Sequence, residues 1–200
     1  ALKAELASKK GDVNRLRVID TQLARLGSTP SAVEVQGQVR YLLASAQSRD
    51  LVQEYFNLEL KDPLKTLSER YSAWQQVRSS YEAVCATGTT SACAPAMHDL
   101  ARLAVQFLRS IEDIDVQATL AKEAVRKFQS HKQYVYNEVS KSAQRADTKA
   151  LASVRRGESS PDTTQAVLWQ NASDWNFERV SGEAGNAYVQ WSTGTTAEAE

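Results

Sequence analysis

The sequence predicts a mainly α fold: a long antiparallel helical hairpin or bundle of three to four helices, with a small C-terminal three-stranded β-meander. Three observations lead there. Apolar residues recur every three or four positions over most of residues 2–146. Only four prolines and eight glycines interrupt 200 residues, too few for a many-turned β fold. After Gly157 the pattern changes to short apolar runs separated by Gly, Ser, Asn and Asp, the signature of strands and turns.

A first helix is expected over 2–26, where Leu2, Leu6, Val13, Leu16, Ile19, Leu23 and Leu26 fall at helical spacing. Gly11-Asp12 is a potential break in it. Gly27 and Pro30 stop it, the first as a C-terminal cap and the second because it cannot continue a helix. A second helix over 32–60 carries Val35, Val39, Leu42, Ala46, Val52, Phe56 and Leu60. Gly37 lies within it at a cost of ~1 kcal/mol relative to Ala, which marks a place of close helix contact. Asp62-Pro63 starts a third helix over 63–85, since Asp caps well and Pro is at ease in the first turn. Its seam runs Leu64, Leu67, Tyr71, Trp74, Arg78, Tyr81 and Cys85.

The fourth helix opens at Pro95 and has the strongest rhythm in the chain. Met97, Leu100, Ala104, Phe107, Ile111 and Ile114 continue into Phe128, Lys132, Val135, Val139, Ser142 and Ala146, with no Gly or Pro before Gly157. Read as one helix it would be about 90 Å long. Residues 32–85, kinked at Pro63, match that length, which favours a long hairpin. The compact alternative makes Asp62-Pro63 a full reversal and breaks the fourth helix near 112–115.

The only two cysteines, Cys85 and Cys93, flank a loop of small polar residues between the third and fourth helices. Cysteines so placed can bridge without straining the fold. The expected pairing is a disulfide closing the tip, and such a bond implies an extracytoplasmic home: periplasm, cell surface or secreted. The expected organisation is a helical bundle over 1–156 with its tip loop closed at 85–93, a linker over 157–164, a β-meander over 165–192 and a disordered tail over 193–200.

Composition and motifs narrow the function classes. Net charge is zero, but residues 116–157 hold nine basic side chains against three acidic, and residues 158–200 hold one against seven. The simplest consequence is an acidic tail that folds back near a basic helix. A nucleic-acid partner is not expected, because that needs a basic patch unopposed by the same chain. No H-E-x-x-H, G-x-S-x-G, P-loop or dinucleotide fingerprint is present, and no Glu-x-x-His pair lies on a helix. A metal site would have to use Cys85, Cys93 and His98 and lacks a fourth ligand. The sequence therefore predicts no enzyme, no cofactor and no metal.

What remains is an interaction protein. The expectation is a non-enzymatic helical scaffold, part of an envelope or surface assembly, that binds a protein partner or a second copy of itself. Membrane association is expected only through a segment outside this chain. The candidate contact residues are the aromatics and Met near the tip, Tyr71, Trp74, Tyr81 and Met97, and those of the meander, Trp169, Trp175, Phe177 and Trp191. The alternative is a ligand-sensing or receptor ectodomain that holds a ligand between helices. Its mark would be a charged residue interrupting an apolar seam, for which Arg78 and Lys132 are the candidates.

Overall fold

A computed structural model describes residues 13–25, 29–56, 58, 61–86, 88, 90–114, 116, 121–158 and 161–172. Among these residues six α-helices follow in order: α1 (Val13–Arg25), α2 (Pro30–Asp50), α3 (Pro63–Ala86), α4 (Cys93–Glu112), α5 (Lys122–Arg155) and α6 (Pro161–Ala172). A π-helical turn, Leu51–Tyr55, extends α2. Two starts have a clear local reason. The Thr29 hydroxyl accepts the Ala32 amide at 3.3 Å, with Pro30 in the first turn of α2. Asp62 Oδ1 accepts the Leu64 amide at 2.9 Å and caps α3 ahead of Pro63.

The order of packing is simple. α3 and α4 form a central antiparallel pair. α2 lies against α3, and α5 lies against α4 along most of its length. α1 rests on α2, through buried Leu16 and an Asp20–Arg40 ion pair at 2.9 Å. The core gathers Phe56, Leu67, Trp74, Leu100, Phe107, Ile111, Phe128 and Val135 toward the end away from the cysteines. Toward the cysteine end the facing positions shrink to Ala94, Ala96, Ala101, Ala143, Ala146 and Ala150, all buried. Small side chains at facing positions let helix axes come closer.

Buried Arg70 ties the reversal between α2 and α3 to the bundle. Its guanidinium donates to the Leu58 carbonyl at 2.7 and 3.1 Å and to the Ser110 carbonyl of α4. These charge-assisted bonds serve carbonyls that the helix ends leave open.

Two expectations are corrected. The chain is not a long hairpin, because the fourth helix breaks between Glu112 and Lys122, and Asp62-Pro63 is a complete reversal. No Gly or Pro marks that break. Folding back lets the stripe Phe128, Val135, Val139 and Ala146 bury itself on α4, and that burial outweighs the local preference for an unbroken helix.

Nor is the C-terminal β-meander found: among the described residues there is no strand. The run Ala166–Gln170, read as its first strand, is helical within α6, and buried Val167 docks α6 on the bundle. A short apolar run cannot be told from a buried helical segment by its pattern alone. The other two runs, 175–180 and 187–192, lie outside the described residues, as do the tail at 193–200 and the first helix before Val13.

Candidate functional site

Two features stand out from the packed body: the cysteine-closed end of the bundle, and a groove between α2 and α4. The cysteine end is built from three ties. Cys85 in the last turn of α3 and Cys93 in the first turn of α4 form a disulfide, with Cα atoms 4.8 Å apart. Glu34 of α2 accepts the Ser91 amide at 2.9 Å and the Ser91 hydroxyl as well. Gln38 donates to the same carboxylate at 2.8 Å. Burial alone would raise the Glu34 pKa, but these hydrogen bonds outweigh it and hold the carboxyl below its ordinary value.

The third tie is steric. Thr90 is buried against Gly37, where a Cβ would stand 2.3 Å from the Thr90 hydroxyl oxygen. Gly88 turns the loop with φ +116°, a conformation that glycine adopts without strain. Thr90 and Ser91 are therefore fastened against α2, yet Gly88 and Ser91 face solvent. Beside it lies a depression of about 390 Å³, floored by the disulfide and edged by Lys149, Ser153 and Arg156 of the α5 end. Arg156 pairs with Glu158 at 2.8 Å, leaving Lys149 as the outward cation of this rim.

The groove between α2 and α4 has a volume of about 450 Å³. A direct bond crosses it: the Tyr41 hydroxyl donates to Asp99 Oδ2 at 2.7 Å. Tyr81 of α3 forms the floor, and Arg49 and Arg102 stand at the sides. Burial first, and then the Asp99 charge, pushes the pKa of both phenols up, so each keeps its proton. His98, next along α4, has its pKa lowered by burial.

The expected contact residues fall in two groups. Tyr71, Trp74, Tyr81 and Met97 are all buried, so their surfaces serve packing. Trp74 is fully enclosed, stacked on Tyr71 at 6.0 Å and against Phe107 at 5.6 Å. Trp169 has its backbone in α6, but its side chain lies outside the described residues, as do Trp175, Phe177 and Trp191 entirely. Of the two seam charges, Arg78 lies over the Trp74 ring at 5.4 Å, beside Glu82. Lys132 is buried over Phe128, its pKa lowered by burial and partly restored by Glu112 and Asp113. Neither borders the groove.

Sequence reasoning singled out the cysteine pair at the closed end and Tyr81, which the structure places in the groove. It did not single out for a site Glu34, Thr90, Ser91 and Lys149 at the closed end, or Tyr41, Arg49, Asp99 and Arg102 in the groove. Gly37 carried a signal as a glycine inside an otherwise helical pattern. No protein-family model, curated protein or solved structure matches this chain.

Proposed function

We propose that this chain is a non-enzymatic, extracytoplasmic interaction protein whose disulfide-closed end presents a fixed surface to a protein partner. The observation that carries the reading is the loop at 88–92. It is held by a disulfide, by the Glu34–Ser91 bonds and by the Gly37–Thr90 contact, while keeping Ser91 and Gly88 outward. A surface already ordered before binding loses little conformational entropy on association, which favours affinity. The adjoining depression, with Lys149 at its edge, gives a partner both a recess and a charge to recognise.

The extracytoplasmic assignment is supported by the disulfide, since cytosolic thiols are kept reduced. Among the described residues no helix is long and apolar enough to cross a membrane, so the disulfide is the sole support for the compartment. Thiol-blocking mass spectrometry on protein from its native cells tests it; two free thiols would remove the assignment.

The surface is tested by placing a photo-crosslinking residue at Ser91 and, as a control, at Val18 on α1, with protein expressed in its native cells. A discrete adduct should form from position 91 only. It should vanish when Lys149→Glu is added, with the circular dichroism unchanged. An adduct indifferent to Lys149, or equally strong from Val18, would count against this surface.

A second reading is favoured by the groove. A recess between helices, largely apolar with a few convergent polar groups, suits a small ligand better than a protein side chain. On that reading the bundle is a ligand-sensing ectodomain.

A further inference from the structure

The groove is lined in a way that selects a charge type. One wall is a stripe of α2, Tyr41, Ser45, Ser48 and Arg49, spaced i, i+4, i+7, i+8 so that all face the same side. The other is a stripe of α4 that includes Asp99 and Arg102, at i and i+3. α2 leans on α3 rather than on α4, which is why a recess remains between these two stripes.

Much of its surface is apolar, with Leu42 and Leu103 among the lining residues. Its polar groups are two guanidiniums, two serine hydroxyls, two phenols and one carboxylate, Asp99, which already accepts the Tyr41 hydroxyl. Two positive charges against one negative leave the lining at +1. Both phenols stay protonated because burial raises their pKa, and Tyr41 gives its proton to Asp99 in their hydrogen bond. Arg49 and Arg102 are solvent-facing, and no carboxylate lies at ion-pair distance from either among the described residues. Both guanidiniums line the same recess. The fork of a guanidinium matches a carboxylate in shape as well as charge.

We propose that the α2–α4 groove binds a small organic anion, a single carboxylate on a hydroxyl-bearing skeleton, with Arg49 and Arg102 holding the carboxylate. Ser45, Ser48 and Tyr81 face the skeleton's oxygens, and the Asp99 carboxylate, fixed by Tyr41, accepts from a ligand hydroxyl. The volume suits a molecule of sugar-acid size, at the lower end of small-molecule sites. This inference rests on the second reading above and is independent of the closed end of the bundle.

The test titrates the full chain with gluconate, galacturonate, sorbitol and inorganic phosphate at fixed ionic strength, following thermal unfolding and heat of binding. Gluconate or galacturonate should raise Tm saturably at concentrations below about 10 mM, and sorbitol should not. Arg49→Gln with Arg102→Gln should weaken that binding at least tenfold while leaving the unliganded Tm unchanged, because both side chains are exposed. Ser45→Ala should weaken it less. No saturable shift with either carboxylate overturns the proposal, as does a shift that survives in the double variant or one given by phosphate alone. Equal shifts with sorbitol and gluconate would keep a ligand-binding groove but refute its preference for an anion.

Discussion

Replacing Gly37 by alanine sets two well-known effects against each other. In an exposed helix interior the change stabilises by about 1 kcal/mol through helix propensity. Here the added Cβ would lie 2.3 Å from Thr90 Oγ1 and 2.8 Å from Thr90 Cβ and Cγ2, well inside ordinary contact. Thr90 would have to retreat by about 1 Å, as judged from normal packing separations. It is poorly free to do so. Its carbonyl accepts the Cys93 amide at 3.2 Å, its hydroxyl accepts the Ala92 amide at 3.2 Å, and Ser91 beside it is bound to Glu34. Overpacking of this kind costs about 1–3 kcal/mol, and losing one of these hydrogen bonds costs about 1 more. After subtracting the propensity gain, Gly37→Ala should destabilise by about 1–3 kcal/mol, a fall in Tm of roughly 2–12 °C for a chain of this size. Thermal and urea unfolding measure it. The same substitution in a Thr90→Gly background meets no clash and should be neutral or stabilising. If Gly37→Ala raises Tm in the wild-type background, or costs the same with Thr90→Gly, the steric account of this contact is wrong.

Three further predictions concern the ties and the α4–α5 turn. Removing the disulfide by Cys85→Ala with Cys93→Ala should cost about 2.5 kcal/mol from loop closure over a separation of 8 residues, with an unchanged urea m-value; a loss under about 1 kcal/mol would mean the other ties already confine the unfolded loop. Glu34 has a folded pKa below its ordinary 4.5, so its stabilisation is fully present above that pH and is lost as pH falls through the lowered value. The Tm difference between wild type and Glu34→Gln should therefore shrink steadily from about pH 6 to about pH 3, and a pH-independent difference would contradict the bonding to Ser91. Lys132→Leu replaces a buried ammonium by an apolar side chain of similar size, while Glu112 and Asp113 remain at the surface; Tm should hold or rise by about 1 kcal/mol equivalent. Light scattering should then show more dimer, through exchange of α5 between copies, and a variant as monomeric as wild type would remove Lys132 from any role in choosing the fold.

The helices were legible because their stripes are regular. Leu67, Trp74, Tyr81, Met97, Leu100, Phe107, Ile111, Phe128, Val135 and Val139 were placed on seams by spacing alone, and all are buried. The Asp62 cap and the cysteine pair were legible because each rests on local chemistry. What spacing could not give was which partner each stripe meets. A 3-4 rhythm is the same in a straight helix and in two helices folded face to face, so spacing could not decide between an unbroken helix and the break near 112–115. Aromatics on a seam read equally as core or as contact until the number of surrounding helices is known. With α2, α3 and α4 packed together, Trp74 has no open side and Tyr81 shows only a little surface at the groove floor. The groove was hidden for a related reason: Ser45, Arg49 and Arg102 look like ordinary polar faces, and only the lean of α2 toward α3 brings their two helices to one recess.

The break after Glu112 has a physical selector in the sequence even though it has no Gly or Pro. A rhythm running unbroken from Met97 to Ala146 satisfies both the extended and the folded arrangement. Lys132 does not. In a straight helix it would stand 20 residues from Glu112, about 30 Å away, on an apolar stripe with no carboxylate in reach. Folded back, it lies over Phe128 with Glu112 and Asp113 both acting on its charge. Burying an ammonium is costly, and carboxylates at the end of α4 reduce that cost only when α5 has turned back in this register. A shift by one turn would move Lys132 away from both acids. The one charged residue on the stripe thus contributes little to stability and much to the choice between arrangements. That choice also sets the closed end, because the register that brings Lys132 to Glu112 brings Lys149 and Ser153 to the disulfide.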